Sequence, residues 1–166
     1  MKKILLVLIV PLIFASCKKN KEATCTFTES AKVASVGEVS YLGNYLTTNS
    51  ITATQHSSGI FYNITIPGTK ANPVICSTIT LRYTGSLLNG TVFDSYSGAA
   101  GVSFVLGELI PGWQKGLPLV KGGGTITLYI PPSLGYGASD VRDANGNVVI
   151  PANSYLKFTI ELLDVQ

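Results

Sequence analysis

Ile79-Thr80-Leu81-Arg82-Tyr83-Thr84-Gly85, continued after Leu87-Leu88 by Asn89-Gly90-Thr91-Val92-Phe93-Asp94-Ser95, sets the fold class of this chain. Ile79, Leu81 and Tyr83 alternate with Thr80, Arg82 and Thr84, so an extended backbone here buries one face and wets the other. Asn89-Gly90 tolerates the positive φ of a two-residue turn, which predicts a hairpin between Leu87-Leu88 and Thr91 to Phe93. Outward from that hairpin the pattern repeats. Ile60 to Ile66 is rich in β-branched and aromatic residues and stops at Pro67-Gly68. Ile126, Leu128 and Ile130 share a face, as do Leu156, Phe158, Ile160 and Leu162. Val102 to Leu106 is a short apolar run ended by Gly107, and Pro111 to Leu117 holds about two turns of helix with Pro at its mouth. Strands joined by tight turns, with one short helix and no βαβ repeat, predict an antiparallel α+β domain and exclude a dinucleotide-binding sheet.

Composition narrows the function. Of 166 residues, 46% are hydrophobic and only 13% charged, about half the usual quarter. The net charge of +3 comes from the N-terminus, where Lys2, Lys3, Lys18, Lys19 and Lys21 supply five of the twelve cations. From Glu22 onward seven cations face nine acids, a net of −2. A weakly acidic body without a basic stripe is a poor nucleic-acid binder. His56 is the sole histidine and no Gly-x-Ser-x-Gly stretch exists, so a Ser-His-Asp hydrolase is not expected. One His and the cysteines make no closed zinc set, and Gly122-Gly123-Gly124 lacks the Lys and Ser/Thr of a phosphate loop. Neither metal nor cofactor is expected. Asp94 and Glu108 are the only acids of the central segment, too few to suggest paired-carboxylate chemistry.

The N-terminus reads as an address. Met1-Lys2-Lys3 precedes the apolar run Ile4 to Phe14, shorter than the about 20 residues a membrane span needs and suited to a secretory signal over residues 1–16. Phe14-Ala15-Ser16-Cys17 resembles a bacterial lipobox, with Phe14 where Leu is usual; it makes Cys17 the candidate lipidation site and implies a lipid-anchored envelope protein, on the outer membrane because Lys18 rather than Asp follows. Which membrane face carries the domain stays open, as does ordinary cleavage without lipidation. Residues 17–35 are polar and read as the lipidated end and a linker. Residues 36–57 form an extension in which Val36, Val39, Leu42 and Leu46 fall at helical spacing, against the cost of Gly37 and Gly43. In an oxidising compartment Cys25 and Cys76 either pair or remain two separate thiols.

Five blocks, in order, resemble the FKBP-type prolyl isomerases. They are Ile79 to Gly85 with Gly90 to Ser95; Phe104-Val105-Leu106-Gly107; Leu109-Ile110-Pro111-Gly112-Trp113-Gln114-Lys115-Gly116-Leu117; Ile130-Pro131-Pro132-Ser133-Leu134-Gly135-Tyr136-Gly137; and Ile150-Pro151-Ala152-Asn153-Ser154 with Leu156-Lys157-Phe158. The resemblance covers residues 58–166 and implies a half-barrel of antiparallel strands around a short helix. It implies Trp113 as a pocket floor, Tyr83, Phe93, Leu109, Ile110 and Phe158 as walls, Tyr136 as a hydroxyl-bearing rim and Asp94 as the pocket carboxylate. The Ile110 N–H would grip a substrate carbonyl, and Val149 and Ile150 would stand at the rim. The family's further wall aromatic falls near Val102, where the segment differs in length, and that position is left open. Taken singly, Trp113, Tyr83 and Phe158 read as core rather than pocket; within the matched blocks pocket lining becomes the reading, with a turn cap as the alternative for Asp94. The activity implied is cis-trans isomerisation of X-Pro bonds in polypeptides folding in the envelope, with proline-containing unfolded chains as partners and macrolide inhibitors as candidate ligands. The alternative is an inactive module of the same fold that holds a proline-containing segment. No dimerising arm is evident, so a monomer is expected. Residues 137–149 exceed the minimal family length, and Asn145-Gly146 there predicts a small hairpin beside the pocket.

Overall fold

The computed structural model describes residues 25–166; the signal segment and Cys17 lie outside the described residues. In chain order the elements are α1 (Val36–Thr48), β1 (Thr54–Gln55), β2 (Phe61–Ile66), β3 (Thr78–Leu87), β4 (Val92–Tyr96), β5 (Val102–Val105), α2 (Pro111–Gly116), β6 (Gly124–Ile130), β7 (Val141–Arg142), β8 (Val148–Ile150) and β9 (Leu156–Val165). One antiparallel sheet runs β1-β2-β6-β9-β3-β4, with β5 also on β3, while β7 and β8 form a separate hairpin. β3 pairs with β9 along its length, and its other edge is divided: Thr78–Leu81 takes β5 and Tyr83–Ser86 takes β4.

Period-two alternation builds the core. Ile79 and Leu81 of β3, Ile126, Leu128 and Ile130 of β6, and Leu156, Phe158, Ile160 and Leu162 of β9 are all buried on the concave face. α2 lies across that face, followed by a 3-10 turn at Leu117–Leu119. Its glycines are spatial requirements: a Cβ at Gly112 would come within 2.5 Å of Ile130, and one at Gly116 within 2.5 Å of Leu128. Only bare backbone lets the helix settle so close to β6. The turn signals behave as their chemistry dictates, Gly90 with φ of 92° after Asn89 and Gly123 with φ of 84° ahead of β6. Asn145-Gly146 closes the β7–β8 hairpin, with Gly146 at φ of 84°. His56 sits in a polar turn, its Nδ1 2.9 Å from Ser58 Oγ.

The N-terminal boundaries need correction. Residues 25–35 are not a free linker: Cys25 is bonded to Cys76, Ala34 N–H donates to Ser58 O at 2.9 Å, and Ala34 joins the core. Nor does the body begin at residue 58. β1 belongs to the sheet, and Leu42 and Leu46 of α1 pack with Phe61 and Tyr129 in a second apolar cluster. Polar composition concealed this because the segment is held by a few scattered anchors, the disulfide and single backbone N–H groups among them, which composition does not report.

α1 is fixed at its start by Glu38. Ser35 caps the helix, and the Glu38 carboxylate receives Ser35 N–H at 2.9 Å, closing a capping box. The same carboxylate accepts from Ser133 N–H and Ser133 Oγ, both at 2.9 Å, so it also ties the helix to the 3-10 turn Pro132–Leu134. Burial pushes the Glu38 carboxyl up, but hydrogen bonds from Ser35 and Ser133 outweigh it and hold it below its ordinary 4.5. A lowered folded-state pKa means that this stabilisation is present above pH 4.5 and is lost as pH falls through the folded value. Glu38→Gln should therefore cost about 1–3 kcal/mol near neutral pH. Urea melts repeated in acid should show the variant and the parent converging, since a protonated Glu38 forfeits the same contacts.

Candidate functional site

The concave face leaves one hollow unfilled at the end where β3, β4 and β9 meet the N-terminus of α2. Tyr83, Asp94, Phe104, Leu109, Ile110, Trp113, Tyr136 and Phe158 line a cavity of about 150 Å³. An apolar hollow of that order admits a benzene-sized guest. Trp113 enters from the first turn of α2 and is 4% exposed, so only its cavity-facing surface is bare. Tyr83 meets it edge to face at 5.5 Å and Phe158 at 5.1 Å, with interplanar angles of 82° and 89°. The indole Nε1–H is buried and has no acceptor among the described residues, so these edge-to-face contacts, not a hydrogen bond, orient the ring.

Register explains the walls. Gly85 lies opposite both Asp94 on β4 and Phe158 on β9, which brings the carboxylate and the ring to one end of the sheet. Tyr83 Oη donates to Asp94 Oδ2 at 2.6 Å. Burial raises the Tyr83 pKa, and the Asp94 hydrogen bond and charge raise it further. Burial also raises that of Tyr136, with the charge of Asp94 adding to it. Both phenols thus stay protonated through physiological pH and remain donors. Ile110 is the N-cap of α2; its carbonyl accepts from Trp113 N–H at 2.9 Å, while its own N–H has no partner among the described residues.

Seven of the residues marked in the sequence therefore converge: Tyr83, Asp94, Leu109, Ile110, Trp113, Tyr136 and Phe158. Three do not line the hollow. Phe93 stands behind it, edge to face with Phe158 at 5.5 Å. Val149 and Ile150 lie in β8, where Ile150 is buried against the core and pairs with Val141, so neither forms the rim. Phe104 supplies the missing aromatic wall, its ring 6.4 Å from that of Tyr83. The alternation of Val102 and Phe104 along β5, continued by Leu106 just past its end, was the signal for it. The chain also holds Cys25 and Cys76 bonded, with Cα atoms 5.7 Å apart, a separation normal for a disulfide.

Chemically, the hollow offers aromatic surface, two phenol hydroxyls, one carboxylate and a free amide N–H. It contains no thiol, imidazole or amine to act as a nucleophile. Such a lining suits the enclosure of an apolar ring rather than covalent attack on it. Comparison with known proteins agrees. The family model for FKBP-type peptidyl-prolyl cis-trans isomerases matches residues 69–163. The chain is 41% identical over 150 residues to the FKBP-type peptidyl-prolyl cis-trans isomerase FkpA of Buchnera aphidicola subsp. Acyrthosiphon pisum, covering 89% of this chain and 59% of that one. The crystal structure of FkpA from Escherichia coli superposes with a TM-score of 0.65 at 34% identity, over 78% of this chain and 60% of that chain. That of AtFKBP13 gives 0.61 at 33% identity, over 69% and 99%. This protein belongs to the FKBP-type peptidyl-prolyl cis-trans isomerase family. It spans 33% to 59% of the length of the first curated relatives it matches.

Gly85 leaves the room that the Phe158 wall and the Phe93 ring behind it occupy. A Cβ there would lie 2.6 Å from Phe158 Cε1 and 2.8 Å from Phe93 Cε2. Gly85→Ala should force both rings toward the cavity and lower stability by about 1–3 kcal/mol. Thermal melts would read the stability, and weaker quenching or shift of the single Trp113 by a proline peptide would read the narrowed pocket.

Proposed function

We propose that this protein is a peptidyl-prolyl cis-trans isomerase acting on X-Pro bonds of polypeptides that fold in the bacterial cell envelope. The observation that carries the reading is the aromatic, nucleophile-free hollow floored by Trp113. Rotation about an X-Pro amide is opposed by a resonance barrier of about 18–20 kcal/mol and takes tens to hundreds of seconds unaided. Water favours the planar, charge-separated amide, so enclosing the proline between Trp113, Phe104 and Phe158 favours the twisted form. Tyr136 Oη and the Ile110 N–H hold the flanking carbonyls, and Asp94, fixed by Tyr83, sets the electrostatics beside the rotating group. The rate gain is preferential binding of the twisted geometry.

An X-Pro peptide followed by protease-coupled or exchange NMR kinetics should isomerise faster with the protein than without it. Absence of any gain, with binding retained, would leave a module that only holds proline-containing segments. Tyr136→Phe should lower kcat/KM by about tenfold with the melting temperature unchanged, and unaltered kinetics would remove the hydroxyl from the mechanism.

The envelope setting is supported by the signal-like run, by the lipobox-like Phe14-Ala15-Ser16-Cys17 and by the Cys25–Cys76 bond, which persists in oxidising compartments. Lipidation at Cys17 would anchor the protein to a membrane, the outer one on the reading of Lys18. Mass spectrometry of the mature protein should find acylated Cys17 as the N-terminus; an unmodified end would exclude the anchor.

A further inference from the structure

We infer that residues 25–30 form a brace for one wall of the cavity and that Gln114 is the positioning residue through which the brace reaches Leu109 and Ile110. The inference rests on the isomerase reading of the hollow. Gln114 follows Trp113 in α2, is not among the cavity-lining residues, and is 7% exposed. A long amide is seldom so deeply buried unless its polar atoms are satisfied, and here they are. Its Nε2 donates to Gly107 O at 3.1 Å and to Leu109 O at 2.8 Å, while its Oε1 accepts Ser30 N–H at 2.9 Å. The partners fix the orientation of the amide, since the flipped group would set its oxygen against two carbonyls and its NH₂ against an N–H. A glutamine is required for the same reason: an ionised glutamate keeps the acceptor and loses both donors.

The segment 25–30 is itself held at several points. Phe27 packs on Gly107, where any Cβ would overlap its ring. Glu29 Oε1 meets Lys115 Nζ at 2.6 Å, the lysine side chain being only 14% exposed. Cys25 is bonded to Cys76, and the next residue, Ser77, accepts Leu106 N–H through its carbonyl at 3.0 Å. The run from Leu106 to Ile110 is thus pinned at Leu106 from the Cys76 side and at Gly107 and Leu109 by Gln114. Between β5 and α2 it has only the short turn Leu106–Glu108 of its own, so these pins decide where the Leu109 side chain and the Ile110 N–H stand. A displacement of about 1 Å in such groups is enough to cost a hundredfold in rate.

The test uses the full chain under non-reducing conditions. In Gln114→Glu near pH 8 we expect kcat/KM on a proline peptide to fall about tenfold, mainly in kcat, with a shift in Trp113 emission. Lowering the pH should restore both, because a protonated carboxyl again donates to Leu109 O. Glu29 and Lys115, the ionisable pair beside it, and Glu108 in the adjoining turn are common to both proteins, so the parent profile is the reference. The Cys25→Ser/Cys76→Ser variant should reproduce the loss and the spectral shift at every pH, and it decides the matter if Gln114→Glu does not fold. Parent-like kinetics and emission in the folded variants would overturn the brace, as would a pH profile of Gln114→Glu parallel to that of the parent. Should the parent itself fail to accelerate isomerisation while Trp113 emission still responds to both variants, the isomerase reading falls and the brace stands.

Discussion

Trp113 meets Tyr83 and Phe158 at nearly right angles. Edge-to-face contacts of this kind fix the two rings beside the indole, and with it they form the floor and walls of the hollow. The hollow depends on that constraint, and the sheet exists in the form that imposes it. Full-length pairing of β3 with β9 sets Tyr83 opposite Ile160 and Gly85 opposite Phe158, so the phenol and the phenyl ring arrive two registers apart on one face. α2, brought close by Gly112 and Gly116, then lowers the indole between them. Stacking the three rings flat would gain contact area and abolish the site.

The same geometry decides the electrostatics. With apolar rings on most sides, the few polar groups act in a medium where a hydrogen bond is worth more than in water. Asp94 is kept from wandering by Tyr83 Oη, and the cost of burying that phenol is offset by the bond. Tyr136, 42% exposed, stands at the opening, where it can meet a peptide carbonyl that remains half in solvent. Polar groups at the edge and rings at the centre suit a guest whose ring is apolar and whose flanking backbone is not.

Local chemistry made much of this visible in the sequence. The alternation of Ile79, Leu81 and Tyr83, the Asn89-Gly90 turn and the Pro111 helix start each act within a few residues, and each appears where it was expected. The FKBP-like blocks placed Trp113, Tyr83, Asp94, Ile110 and Tyr136 around one pocket. What escaped notice acts at long range. Gln114 and Ser30 are 84 positions apart, and no periodicity links such a pair; Cys25 and Cys76, 51 apart, were legible as a candidate pair, but only the fold brings them together. Polar residues 25–35 read as linker because their anchors, the Cys25–Cys76 bond, Phe27 against Gly107, the Glu29–Lys115 pair and the Ser30 and Ala34 N–H groups, follow no local pattern and all reach distant partners. Phe104 was hidden by a change in segment length, and Val149 and Ile150 were placed at the rim by the family pattern, whereas both stand in β8 and Ile150 is buried against the core.

The residues N-terminal to the family match carry more of the site than their position suggests. Two groups are proposed to grip the substrate backbone, the Ile110 N–H and the Tyr136 hydroxyl, and both stand outside the strands, Ile110 at the mouth of α2 and Tyr136 after the Pro132–Leu134 turn. The first loop is tied through Gln114 to Ser30. The second follows the Pro132–Leu134 turn, whose Ser133 is held twice by Glu38 of α1. Ser30 and Glu38 both precede residue 69, where the matched family region begins. The pocket floor and walls thus belong to the shared domain, while the placement of its two hydrogen-bonding arms depends on the segment that leads into it. On the proposed reading that segment is part of the site's architecture, since it reaches both loops that carry the donors.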